Sequence, residues 1–139
     1  MAFGLFKKSG KKESPPHSGP RYFDLSVKNI IRETRDAITI VFNQPGSERI
    51  SYKSGQFLTL IVPVNAKEVR RAYSLCTSPF VDDDIAVTVK RVDKGLMSNW
   101  LADNLKTGDK LKVMEPMGQF TTEFEKSNKR HVIMFSGGS

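Results

Sequence analysis

The sequence predicts a small all-β domain, a six-stranded antiparallel barrel carrying one short helix. Three observations predict it. Six short runs alternate apolar and polar residues or concentrate β-branched ones, each bounded by Gly, Pro, Asn or Asp. A single stretch, Leu96 to Leu105, places apolar residues at helical spacing. The chain has 139 residues and one cysteine, enough for one core that stands without disulfides.

Taken in order, Tyr22 to Ile30 alternates as a half-buried strand, with Phe23, Leu25 and Val27 on one face. Arg32 to Asp36 is a polar turn. Ala37 to Phe42 forms a second strand rich in β-branched residues, and Asn43-Gln44-Pro45-Gly46 breaks it. Gly55-Gln56 opens the third strand, which reaches Val62 before Pro63. Asn65 to Val69 reads as a loop leading to the fourth strand, Arg70-Arg71-Ala72-Tyr73-Ser74-Leu75. Asp82-Asp83-Asp84 lacks the alternating ligands of a calcium loop and reads as a solvated turn, so no metal site is expected. Ile85 to Arg91 is the fifth strand. In the helix, Leu96, Trp100, Leu101 and Leu105 share the apolar side, Trp100 as core, and Gly108 follows as a stop signal. Lys110 to Met114 is the sixth strand. Pro116 and Phe120 read as strand punctuation and core, and Gly118 as a turn requiring positive φ or a close approach.

The ends differ from this body. Residues 1–20 mix Lys, Ser, Gly and Pro without a period and are expected to be a disordered basic leader. The barrel is assigned to 21–127. Residues 128–139 contain the apolar run His131-Val132-Ile133-Met134-Phe135 and then Ser136-Gly137-Gly138-Ser139. A strand running into a glycine turn is how a nucleotide-binding α/β unit begins.

The formal net charge of +7 favours anionic ligands or partners, and part of it comes from Lys7, Lys8, Lys11 and Lys12. No apolar run is long enough to span a bilayer, and the first residues do not form a signal peptide. The chain is expected to be cytoplasmic, without a membrane partner. Cys76 alone cannot form an intrachain disulfide or ligate a four-cysteine cluster, and reads as a small residue packed under a strand.

The chemistry concentrates in the fourth strand. Arg71, Tyr73 and Ser74 place a planar cation, an aromatic face and a hydroxyl within four residues. Such a set suits a ligand that is anionic at one point and flat at another, as a flavin nucleotide is; the alternative is a surface strand with an ordinary arginine and a half-buried tyrosine. Strand alternation puts Arg71 and Tyr73 on one face and Ser74 on the other, so a shared role needs a bulge or a strand end. A second phosphate-suited feature is Gly95-Leu96-Met97-Ser98, a glycine-led turn into a helix whose amides carry positive partial charge. Ser98 either caps that helix or donates to a phosphate.

Gly55-Gln56-Phe57, Arg71-Ala72-Tyr73-Ser74, Val89-Lys90-Arg91, Gly95 to Leu101, Gly108-Asp109 and Pro116-Met117-Gly118-Gln119-Phe120 stand in one order. With that order and spacing, the chain resembles the FAD-binding domain of the ferredoxin–NADP reductase family. It looks most like the reductase components of bacterial oxygenases, among them the phenylacetyl-CoA epoxidase reductase. The resemblance implies a Greek-key barrel that binds FAD, with 128–139 as the first strand of a truncated NAD(P)-binding domain. It implies Arg71 on the FAD pyrophosphate, Tyr73 against the flavin ring and Ser74 near flavin N5, the last two as catalytic residues. Ala72, Gly95, Leu96, Met97 and Ser98 complete the cofactor set, with Val89 and Lys90 contributing mainly through backbone groups.

The function implied is that of a flavin-dependent NAD(P)H oxidoreductase, accepting hydride on FAD and passing electrons onward. The acceptor would be a ferredoxin, an iron–sulfur domain, an oxygenase component or a haem. This chain alone is expected to be incomplete for turnover. Two readings of other classes stand beside it. One is a basic barrel that binds single-stranded nucleic acid, disfavoured because Phe57, Tyr73 and Phe120 are scattered. The other is a non-catalytic interaction module.

Overall fold

The computed structural model describes residues 19–46, 48–122 and 125–137. All of the basic leader except Gly19 and Pro20 lies outside them. The elements are β1 (Tyr22–Arg32), β2 (Ala37–Phe42), β3 (Phe57–Val64), β4 (Lys67–Ser74), β5 (Ile85–Lys90), α1 (Leu96–Asn104) and β6 (Lys110–Met117). They form one antiparallel six-stranded sheet of order β4-β3-β6-β1-β2-β5. The hairpins β1–β2 and β3–β4 are joined by β6, which inserts between β1 and β3. The sheet curls until its two margins meet at one isolated bridge, Leu75 with Val87.

The period-2 pattern is what buries the core. Ile40, Phe42, Leu58, Leu60, Ile85, Val87, Val89 and Val113 are fully enclosed, each at 0 % exposure, and Leu25 and Val27 nearly so. Each such side chain contributes roughly 1.5–3 kcal/mol from burial. In β1 the alternation shifts at a bulge between Val27 and Asn29. The strand changes partner there, from β6 over Tyr22–Ser26 to β2 over Val27–Arg32. α1 covers one end of the curl with Met97 and Leu101, and Leu105 follows it into the core. Trp100 packs against the same cluster.

Several expectations are corrected. The loop expected at Asn65–Val69 is a two-residue turn, Asn65-Ala66, with φ of 51° and 59°, and β4 begins at Lys67. Both central residues take positive φ, as a tight hairpin matched to strand twist requires. β6 extends to Met117, past Pro116, because a bulge against β3 lies between Phe57 and Thr59. A proline lacks the amide that a regular ladder needs, and a bulge removes that need. Phe120 is 84 % exposed instead of core, and Cys76 is exposed instead of packed under a strand. The run His131–Phe135 forms no strand, and Ile133, Met134 and Phe135 lie largely in solvent.

Of the acidic turn, Asp82 accepts the Ser78 amide at 2.7 Å, Asp83 meets Arg49 and Asp84 meets Lys28. No described helix is long and apolar enough to cross a membrane.

Candidate functional site

β4 presents its residues alternately, so Val69, Arg71, Tyr73 and Leu75 share the face toward the core. Val69 and Leu75 are buried and Tyr73 half-buried, whereas Arg71 is exposed where the sheet margin opens. Ser74 closes β4, pairs with Phe57 and stays exposed. A strand end, one of the two arrangements that alternation demanded, is thus present at Ser74. Ala72 pairs with Thr59 and is exposed.

The two adjacent arginines have different surroundings. Arg70 is engaged, its guanidinium 2.6 Å from Glu68 and over the Tyr22 ring at 6.0 Å. Arg71 forms no ion pair among the described residues, and its Nη1 donates only to the Arg70 carbonyl at 2.7 Å. Burial pushes the Tyr73 hydroxyl above its ordinary pKa, and the neighbouring Arg71 charge opposes that rise. Arg71 is therefore an exposed cation whose remaining donors point to no protein acceptor, beside an aromatic ring that is partly out of water.

β5 runs past this pair. The Leu75–Val87 bridge and the bond from the Cys76 amide to the Ala86 carbonyl, 3.0 Å, fix the relative register of β4 and β5. Continuing that register would set Tyr73 opposite Val89 and Ala72 opposite Lys90, but no ladder forms there. The strands part instead, leaving main-chain groups on the facing margins. Val89 is fully buried and Lys90 exposed, so Val89 can offer a ligand only its backbone.

Five residues after β5, the N-terminus of α1 begins with Gly95 as N-cap, and the helix packs against β3 and β4. No side chain caps it and its first turn carries no acidic residue. The amides of Leu96, Met97 and Ser98 precede the first intrahelical bond, from the Asn99 amide to the Gly95 carbonyl at 3.3 Å. Leu96 is exposed, whereas Met97 is core. Ser98 does not cap the helix. Its buried Oγ accepts the Val92 amide at 3.2 Å. Gly95 has no space for a side chain, since a Cβ there would lie 2.5 Å from Ser98 Oγ and 3.0 Å from the Val92 carbonyl.

The start of β3 is closed by two glycines. A Cβ on Gly55, φ 91°, would overlap the Phe120 carbonyl at 1.8 Å. Gly118, at φ 120°, stands against the Phe57 ring, and its carbonyl accepts Gln56 Nε2 at 3.3 Å. These contacts seat Phe57, the cross-strand partner of Ser74.

A cleft of about 770 Å³ elsewhere is lined by Ile50, Tyr52, Lys53, Pro79, Phe80 and Thr121, among others. None of the expected site residues lines it. The margin between β4 and β5, with the N-terminus of α1 that packs against β4, is the better candidate, because these elements carry an exposed cation, an aromatic face and uncapped helix amides. Sequence reasoning passed over Asn99, which bonds the turn before α1. Its only signal was its place four residues after Gly95.

Residues 24–122 match the family described as the oxidoreductase FAD-binding domain. The ferredoxin reductase component of 3-ketosteroid-9-alpha-monooxygenase from Rhodococcus rhodochrous is 44 % identical over 127 residues, 89 % of this chain and 35 % of the relative. A 1,2-phenylacetyl-CoA epoxidase subunit from Escherichia coli is 33 % identical over 120 residues, 85 % of this chain and 33 % of the relative. The crystal structure of the Amycolatopsis cytochrome P450 reductase GcoB superposes with a TM-score of 0.69 at 26 % identity, covering 79 % of this chain and 32 % of that one. The chain spans about a third of the length of these relatives. With the curled six-stranded sheet, the single helix and a match across 24–122, the chain belongs to the oxidoreductase FAD-binding domain family.

Proposed function

We propose that the opening between β4, β5 and α1 holds FAD, and that the chain is the flavin-binding part of an NAD(P)H-dependent reductase serving an oxygenase system. The observation that carries this reading is Arg71, a cation without an ion-pair partner among the described residues, on the same strand face as half-buried Tyr73. The residues present fit the cofactor. Arg71 would pair with the pyrophosphate as a bidentate donor. The Leu96, Met97 and Ser98 amides would supply further donors, with Gly95 allowing close approach. Tyr73 would cover one face of the flavin, the Ser74 hydroxyl would lie near its N5, and Ala72, Val89 and Lys90 would contact it through the main chain.

When bound, FAD supplies the step between a two-electron nicotinamide donor and a one-electron acceptor. This chain's residues anchor and orient it and exclude water from one face. The acceptor would be a ferredoxin, an iron–sulfur domain, an oxygenase component or a haem. The reading is supported by relatives named as monooxygenase reductase components. We assign the barrel to 21–127 and read 128–139 as the opening of a nucleotide-binding unit, which would cover the exposed apolar run Val132–Phe135. A reducing cytoplasm suits the exposed thiol of Cys76.

The test is a visible absorption spectrum of the purified chain after incubation with FAD and desalting. A retained flavin spectrum, much weakened in Arg71→Ala, is expected. A folded chain that stays colourless at excess FAD would overturn the proposal.

A further inference from the structure

The turn that delivers α1 is braced by a chain of side-chain hydrogen bonds. Asn99 Nδ2 donates to the Val92 carbonyl at 3.1 Å and to the Gly95 carbonyl at 2.6 Å. Its Oδ1 accepts Arg91 Nε at 3.0 Å. The far end of that guanidinium is held by Asp103, 2.8 Å from Nη1 and 2.9 Å from Nη2, and the Arg91 amide is fixed to the Asp36 carbonyl at 2.7 Å. Between the two carbonyls that Asn99 ties, Lys94 sits at φ 56°, a region that non-glycine side chains disfavour. The brace reinforces a turn that the bond from the Gly95 amide to the Val92 carbonyl, 2.8 Å, and the Ser98 hydroxyl also hold, and the orientation of the Leu96, Met97 and Ser98 amides depends on that turn.

Resting on the flavin reading above, we propose that Asn99, itself oriented by Arg91 and Asp103, is a positioning residue. It sets the helix amides for the second phosphate of FAD and so makes the site prefer FAD to FMN. The reasoning is chemical. FMN carries one phosphate, which Arg71 alone can serve, whereas a pyrophosphate also needs the amides of α1. Loss of Asn99 should therefore weaken FAD selectively.

The experiment titrates the full chain with FAD and with FMN, following flavin fluorescence, for wild type, Asn99→Ala and Asn99→Asp. Asn99→Asp keeps the size and the acceptor for Arg91 but removes both donors. In both variants the Kd for FAD should rise about tenfold while that for FMN changes less than about twofold. Asp103→Asn, on a side chain 54 % exposed, should shift the ratio in the same direction by roughly two- to threefold, and it decides the question if Asn99→Ala does not fold. Wild-type FAD affinity in Asn99→Ala, an equal loss of both flavins, or an unchanged ratio in Asp103→Asn beside an unfolded Asn99→Ala would each overturn the inference. A wild-type chain that binds neither flavin would overturn the flavin reading itself, and the inference with it.

Discussion

The two edges of β5 face opposite tasks. Along one edge it pairs with all of β2, from Ala37–Lys90 to Phe42–Ile85, and Thr39 and Thr88 share a hydrogen bond of 2.8 Å across the ladder. Along the other edge it meets the end of β4 at a single bridge, and the strands then separate. The first edge is regular and apolar beneath. The second keeps an exposed arginine, a half-buried tyrosine and open main-chain groups. One strand thus anchors the fold on one side and lines the candidate site on the other, so stability and ligand affinity should respond to different residues.

The strongest way to break that separation is at the core beneath the paired edge. Ile40→Ala, at a fully buried position opposite Val87, should cost about 2–5 kcal/mol in urea unfolding. A smaller loss would mean that the β2–β5 ladder is not what holds the sheet. At the open edge, Arg71→Ala should leave unfolding free energy within about 0.5 kcal/mol while weakening FAD by roughly 10- to 100-fold in titration. Comparable losses in both measurements would erase the distinction between the edges. A smaller effect is expected away from both, where Ala66→Gly relieves a positive φ in the β3–β4 turn. It should raise stability by about 0.5–1 kcal/mol in the same unfolding assay, and a decrease would show that the turn is not strained.

The smallest effect concerns pH. Burial raises the Tyr73 hydroxyl above its unfolded pKa. Stability from such a group is fully present below the ordinary tyrosine range and is lost as pH rises through the folded value. Unfolding midpoints should therefore fall in the alkaline range, and Tyr73→Phe should flatten part of that slope. Tyr52, raised by the same cause, keeps the remainder. An unchanged slope in Tyr73→Phe would place the titration elsewhere.

Legibility followed from how much of each feature is written in local pattern. β2 and β5 were readable because Ile38, Ile40, Phe42 and Ile85, Val87, Val89 repeat at two residues and all turn inward. Gly118 was readable because positive φ favours glycine. The β3–β4 hairpin was hidden, since Asn65-Ala66 lacks the glycine that usually marks such a turn. Phe120 was misread because an aromatic after a strand suggests core, yet here its main chain, against Gly55, makes the contact. Arg71, Tyr73 and Ser74 stood out by side-chain chemistry. The role of β5 was only half visible, because the parting of two strands is a tertiary event that neither strand records. Asn99 was hidden for the same reason, as its partners are carbonyls that any residue carries.

The position of β6 has a consequence for the order of assembly. Among the described strands it is the last in sequence, yet it lies in the middle of the sheet, with Met114 paired both to Tyr22 and to Thr59. Until it emerges, the β1–β2 and β3–β4 hairpins have no common neighbour, and the loop closed by Tyr22 and Met114 spans most of the barrel. Contacts so distant along the chain slow folding. During synthesis the two hairpins must wait, separate and with their inner margins bare, for the ribosome to release the strand that unites them.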